Sequence, residues 1–305
     1  MTLLTRDSAA FLAAARLLKP DFGPATPRSV FLITPEGFSL AEESAQDNSY
    51  MAEAQAFDPG RALEQHRQLQ LAMSAVVPVI GFPGRKETPD AVFPNNVFAT
   101  APGRVVIGRM RHPVRQREAA REDIRGFFSD TLGYQTVDLS TQVHVAELTG
   151  ALVIDRARGL GFIGLSERCD EEGARLMHEA FGLRASLMFD LAPSEYHTNV
   201  VLAVLAGRAA VVCPAGFAEP AIVDVFSDLY GEHVLICNAQ EHADFVGNCI
   251  AVSNNTVWMS ARAGESLTVD HKAALSAAGF ALRTVPLDAI EAAGGSLRCC
   301  IGEIY

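Results

Sequence analysis

No CxxC pair, no regular cysteine frame, no long apolar run and no block of basic residues occurs in this 305-residue chain. Each absence removes a class of function. The six cysteines, at 169, 213, 237, 249, 299 and 300, are too irregularly spaced for a disulfide scaffold or a zinc motif. Reduced thiols and a cytoplasmic location are therefore expected. A net charge of −11 without clustered Lys or Arg argues against a nucleic-acid partner. The richest basic run, "GRMRHPVRQREAARED", alternates in sign and reads as a solvated helix face. The same shortage of basic charge gives no reason to bind an anionic membrane surface. No apolar stretch reaches the roughly 18–20 residues that span a bilayer. The opening "MTLLTRDSAAFLAAARLL" is interrupted by Arg6, Asp7 and Arg16, and predicts an amphipathic helix at about 7–18 rather than a signal peptide. No linker composition divides the chain, so one domain over 1–305 is expected. The histidines offer no i, i+4 ligand pair and no motif binds phosphate. Neither a metal nor an organic cofactor is expected.

What is present is a period. Nearly half the residues are apolar, an ordinary globular composition. Four segments share one plan of polar residue, apolar strand, tight turn and second apolar strand: 95–109, 149–166, 197–214 and 247–261. Their Val- and Ile-rich runs joined by turns such as "GR" or "NN" are hairpin chemistry. A fifth, "RCCIGEIY", is cut short and finds its partner in "SVFLITPEGF" (29–38). Taking Asn96, Gly150, Asn199, Asn248 and Cys299 as equivalent points, the intervals are 54, 49, 49 and 51 residues. Helical stretches such as 170–182 and 219–231 lie between hairpins. Five ββα-type repeats around a central axis, an α/β propeller of five blades, fit period and length; an α+β protein with hairpins recurring by chance is the alternative. In a ring, the residues that open each first strand converge on the axis. They are Asn95 and Asn96, Glu147, His197 and Asn199, Asn248 and Cys299. Apolar residues would serve a closed core better, because buried polar groups cost free energy unless paired.

These motifs, taken in order, resemble the pentein or amidinotransferase superfamily of guanidine-modifying enzymes, from about residue 29 to the end. "ETPDAVFPNNVFAT" resembles its "PD-x-VF" segment, "ELTGALVID" its Glu-bearing strand, and "FIGLSERCDEEGARLM" its "GLSxR" strand and helix. "HTNVVLAVL" resembles its His-x-Asp/Asn strand, and "GGSLRC" the turn before its nucleophilic cysteine. The nearest branch by these segments is the citrulline-utilisation hydrolase group, which has similar "FPNNW" and "RC-x-I-x-E-I" segments and an amino-terminal segment like "FSLAEESAQDN".

The resemblance implies a fold, a reaction and a site. Cys299 is the expected nucleophile, attacking the central carbon of a guanidino or ureido group, with water then releasing a covalent intermediate. His197 is the expected general acid and base. Glu147 would accept bonds from substrate nitrogens or orient His197. Arg168 looks like the fork for an α-carboxylate, with Arg109 a second candidate and a surface ion pair the alternative for either. Asp90 and Phe93 match substrate-lining positions, although Asp90 could be a turn residue. Cys300 would point the other way along the strand, into packing. The departures are amides: the resemblance places carboxylates where Asn96 and Asn199 stand. An amide donates as well as accepts, whereas a carboxylate only accepts. That favours a neutral ureido group, citrulline-like, or a site tolerating guanidino and ureido groups in turn.

The expected function is a cysteine hydrolase of a linear ureido or guanidino amino acid, releasing ammonia. An arginine deiminase or dihydrolase and an amidinotransferase are close alternatives, and a non-catalytic binding protein on the same fold is the alternative from another class. A small-molecule substrate is expected and a homo-oligomer is possible; no nucleic-acid or membrane partner is expected.

Overall fold

The computed structural model describes residues 2–40, 43–51 and 58–305. Among them the strands form five small sheets in a mixed α/β fold. The sheets repeat one pairing. An antiparallel hairpin is extended by a third strand that runs parallel to the hairpin's second strand, with helical turns on the crossover.

In chain order the hairpins are Phe98–Ala101 with Arg104–Ile107, Leu152–Asp155 with Leu160–Leu165, Leu202–Leu205 with Ala209–Val212, and Ile250–Ser253 with Thr256–Ser260. The fifth is made from both ends of the sequence: Gly302–Ile304 pairs antiparallel with Ser29–Ile33. Turn chemistry fixes these hairpins. At Ala206 and Gly207 the backbone has φ of +48° and +67°, the primed-turn geometry that matches strand twist. Strands such as Phe98–Ala101 and Ala209–Val212 are buried along their whole length, consistent with their mostly apolar sequences.

Three sequence expectations need correction. The repeat is larger than ββα, since each unit ends in a third strand: Val79–Phe82, Gln135–Asp138, Ala185–Asp190, Val234–Ile236 and Ala281–Val285. Most are short and partly exposed, so they lack a strand's apolar signature. The amino-terminal helix is Ser8–Ala15, capped by the Asp7 carboxylate on the N–H groups of Ala9 and Ala10. Ahead of it, Leu3–Thr5 adds a fourth, parallel strand to the second sheet.

The third correction bears on the site. The first strands do not begin at the marker residues. A single helical turn comes before four of them: Pro94–Asn96, Leu148–Ala151, Thr198–Val201 and Leu297–Cys300. Cys299 and Cys300 therefore sit on a 3-10 turn, not on opposite faces of a strand. These turns pack on one another; Pro94–Asn96 touches both Leu148–Ala151 and Leu297–Cys300. No helix among the described residues is long and apolar enough to cross a membrane.

Candidate active site

The turns are stitched in sequence order by hydrogen bonds. Thr149 Oγ1 donates to the Asn95 carbonyl at 2.9 Å, and Asn199 Nδ2 to the Thr149 carbonyl at 2.9 Å. Asn248 Nδ2 then donates to the Asn199 carbonyl at 2.8 Å, and Arg298 N to Asn248 Oδ1 at 3.0 Å. On one side of this chain of bonds lies a narrow cavity. Cys299, His197, Asn96, Asp90 and Phe93 line it, joined by Arg115, Arg168 and Tyr196. Gly294 and Gly295 form its wall beside the nucleophile candidate, while Ser44, Asn48 and Met51 reach it from the segment 43–51.

Both glycines are required by close approach. Gly294 has φ +79°, and a Cβ there would lie 2.3 Å from Asn48 Nδ2; one on Gly295 would lie 2.8 Å from the Phe93 ring. Gly150 is similar: its Cβ would meet Asn96 Oδ1 and His197 Cε1 at 2.7 Å.

His197 and Glu147 form a buried pair, Nε2 to Oε2 at 2.8 Å. Glu147 Oε1 also accepts from Arg111 N at 3.0 Å, and Arg168 Nη1 lies 3.2 Å from Oε2. Burial works to raise the Glu147 carboxyl, but the Arg168 charge and the His197 bond outweigh it and hold it well below its usual range. Burial holds His197 below the ordinary imidazole value against the pull of Glu147. The pair is thus a carboxylate beside a neutral imidazole. Because a carboxylate only accepts, the proton sits on Nε2, leaving Nδ1 as a free base with no partner.

The Cys299 thiol is buried, which pushes its ionisation up; the bond from Asn248 Nδ2 at 3.3 Å to Sγ opposes this without reversing it. Cys299 at rest is a thiol. Cys300 is also buried, outside the cavity lining, its Sγ on the Ser296 carbonyl.

Asp90 is raised above the usual carboxyl range by burial, against Arg115 and a 2.5 Å bond from Ser44 Oγ to its Oδ2. Its Oδ1 has no partner, nor does Asn96 Oδ1. The cavity therefore holds one carboxyl oxygen and one amide oxygen still unbonded.

Some expected site residues lie elsewhere. Asn199 and Asn248 are absent from the cavity wall: their amides are occupied in the chain of bonds just described, behind the thiol. Asn95 is buried beside Asn96 with both side-chain polar atoms unpartnered, also outside the lining. Arg109 donates to the Ser140 carbonyl at 3.0 Å and faces a separate cleft. Arg168 lines the cavity, but its donors are taken by Asp47, Glu147 and the Ser44 carbonyl.

Arg115 was not legible as a site residue. It lies in the run that reads as a solvated helix face, yet Arg115 and Glu118 are 3% and 2% exposed and form a bidentate pair, both contacts at 2.9 Å. Alternating charge looks the same in a solvated pair and a buried one. Arg115 is part of the cavity lining, and its bonds use Nε and Nη2, with none from Nη1 among the described residues. The described residues contain no cluster of metal-ligating side chains.

Comparison with known proteins identifies the family and the fold. Residues 34–305 match the family described as N,N dimethylarginine dimethylhydrolase, eukaryotic. A curated N(G),N(G)-dimethylarginine dimethylaminohydrolase of Mycobacterium tuberculosis is 27% identical, the match covering 97% of this chain and 92% of that protein. Among solved structures, the N-terminal domain of ArgZ bound to substrate, an arginine dihydrolase from cyanobacteria, superimposes with a TM-score of 0.79 at 20% identity over 91% of this chain and 98% of that one. A dimethylarginine dimethylaminohydrolase variant, as an adduct with S-methyl-L-thiocitrulline, does so with a TM-score of 0.71 at 20% identity over 91% and 99%. These two likenesses speak to the fold.

Proposed function

The chain belongs to the N,N dimethylarginine dimethylhydrolase family, hydrolases of C–N bonds in the pentein superfamily, and from that premise we propose that it cleaves a linear ureido or guanidino amino acid through a thiol-bound intermediate. The observation that carries the reading is the single cavity shared by Cys299, His197 with its Glu147 partner, Asp90 and Asn96.

In the proposed reaction the Cys299 proton passes to His197 Nδ1 as Sγ bonds to the substrate's central carbon. The Glu147 carboxylate stabilises the imidazolium that results. The imidazolium then gives its proton to the departing nitrogen, and the C–N bond breaks. Water attacks the thioester-like carbon, its proton returns to His197, and the thiol is restored as the product leaves. With a ureido substrate, water and two C–N cleavages yield the amine, ammonia and carbon dioxide. The α-carboxylate is assigned to Arg115 Nη1, and the reacting group's nitrogens to Asp90 Oδ1.

Asn96 supports a ureido group because its amide can donate to a carbonyl oxygen, which a carboxylate cannot. With Asn199 away from the wall, that argument rests on Asn96 alone. The unbonded Asp90 oxygen favours a second reading, in which a guanidino group is accepted first and its ureido product next. The five sheets are proposed to be the blades of one ring within a single domain over 1–305, which the ordered bonds between turns support.

The test is to incubate the protein with arginine, citrulline, agmatine and methylated arginines, and to measure ammonia, citrulline and ornithine. Ornithine from citrulline but none from arginine is expected of the ureido enzyme. Ornithine from both marks the two-step enzyme, and citrulline accumulating from arginine overturns the argument from Asn96.

A further inference from the structure

The two glycines ahead of Cys299 give the chain there freedom to pivot, because glycine visits backbone conformations that other residues avoid. A buried carboxyl takes that freedom away. Glu291 closes the helical turn Asp288–Glu291 and is 4% exposed. Its carbonyl accepts from Gly294 N at 2.8 Å, and its Oε1 accepts from Ser296 Oγ at 2.6 Å. One residue thus grips both ends of the Gly-Gly pair. Ser296 stands at the N-cap of the turn Leu297–Cys300, where a serine hydroxyl ordinarily accepts from the N–H groups of the turn it opens. It makes no such bond and donates to Glu291 instead. The Ser296 carbonyl in turn accepts from Cys299 N at 3.0 Å. The turn bearing Glu291 is braced from the helix Pro59–Ser74. Gln65 Oε1 accepts from Ala289 N at 3.0 Å, and Gln65 Nε2 and Arg61 Nη2 donate to Asp288 Oδ1 at 2.6 and 2.9 Å.

We propose that Glu291 is a positioning residue for the nucleophile: through Ser296 it sets the turn that presents Cys299 to His197 and the substrate. Glu291 is absent from the cavity wall, so it acts through Ser296 and the glycine backbone rather than on the substrate. Filling space does not explain it. Its Oε2 has no partner among the described residues, and an apolar side chain would fill the same volume without burying an unbonded polar atom. Burial raises its carboxyl above the usual range, against the Ser296 bond. Glutamine matches a neutral carboxyl in shape and keeps an Oε1 acceptor for Ser296, whereas alanine leaves the serine hydroxyl with nothing to hold.

This inference rests on the hydrolase reading above, and the experiment separates the two. Glu291→Ala, Glu291→Gln and Ser296→Ala are compared with the parent on the ureido or guanidino compound that the parent turns over. Hydrogen exchange is followed in the peptides covering 292–300 and 59–74. Glu291→Ala and Ser296→Ala should each lower kcat per folded molecule by about tenfold or more, with KM within about twofold of the parent. Exchange should accelerate in 292–300 in both and stay unchanged in 59–74. Glu291→Gln should keep kcat within about threefold of the parent. The Glu291→Ala, Ser296→Ala double variant should lose no more than the worse single one. Parental kcat in Glu291→Ala overturns the proposal, as does a loss that Ser296→Ala does not share, a change in KM alone, or unchanged exchange in 292–300. If Glu291→Ala fails to fold, Ser296→Ala, which removes one hydroxyl, decides alone. If no ureido or guanidino compound is turned over, the hydrolase reading falls while the exchange data still judge the hold of Glu291 on the turn.

Discussion

At the residue scale, two neighbouring thiols separate chemistry from packing. Cys299→Ser keeps the volume and replaces the nucleophile, so turnover should fall by about a thousandfold or more at unchanged melting temperature. Cys300→Ala removes a buried sulfur on the other side of the turn and should leave kcat near parent, with a modest loss of stability. Steady-state rates on the two variants check both. Glu147→Gln is harsher than its size suggests, because it strips the negative charge facing Arg168 and frees the imidazole tautomer. Kcat should drop by about a hundredfold or more, and unfolding free energy by about 3–5 kcal/mol, read by denaturant titration. The resting site also sets a pH profile. The reactive form keeps one proton on the thiol and none on His197 Nδ1, so kcat/KM should fall on the acid side only below the ordinary imidazole range, and on the alkaline side only above the ordinary thiol range. An acid limb centred at or above 6.5 would contradict a His197 held neutral by burial. The polar residues of this site stand out in the sequence because each interrupts an apolar strand start. Arg115 does not, because its buried partner Glu118 lies three residues away and imitates a surface pair.

At the scale of elements, the site depends on one-turn helices that only small residues allow. Gly150 sits on the turn 148–151 with Asn96 and His197 against it, and an alanine Cβ would be 2.7 Å from each. The imidazole is fixed by Glu147 and cannot retreat, so Gly150→Ala should shift His197 and cost about a hundredfold in kcat. The folded circular dichroism spectrum should survive. Full activity in this variant would show that the packing around Nδ1 is looser than described. Hairpins were legible because their alternation, turns and spacing recur. The turns ahead of them were not, since four residues make no helical period and "NNVF" or "HTNV" read as easily as strand starts. Asn199 differs from its expected place for the same reason, since on a turn its amide reaches the backbone of the preceding unit; Asn248, on a bend ahead of Ile250–Ser253, does likewise.

For the whole molecule, most of the repeat was legible and its third strand was not, because strands of three to six residues at a partly exposed edge carry little apolar signal. Stability, too, is a property of the assembled sheets. His66 lies on the helix Pro59–Ser74, is 1% exposed, and has an unpartnered Nε2. Burial pushes it down from 6.5 to about 4, against Glu36 and a bond to the Ile33 backbone. A base whose folded value lies below its unfolded one contributes stability that is present above 6.5 and lost as pH falls towards 4. The full effect is about 3 kcal/mol. Glu147, Asp47 and His197 act in the same direction further into acid, so the parent should weaken steadily below neutrality. His66→Leu removes one component of that slope without touching the cavity. Its unfolding free energy should fall less than the parent's between pH 7 and 4, by about 3 kcal/mol, while turnover at pH 8 stays unchanged. Parallel pH curves for the two proteins would mean that His66 takes up its proton inside the fold.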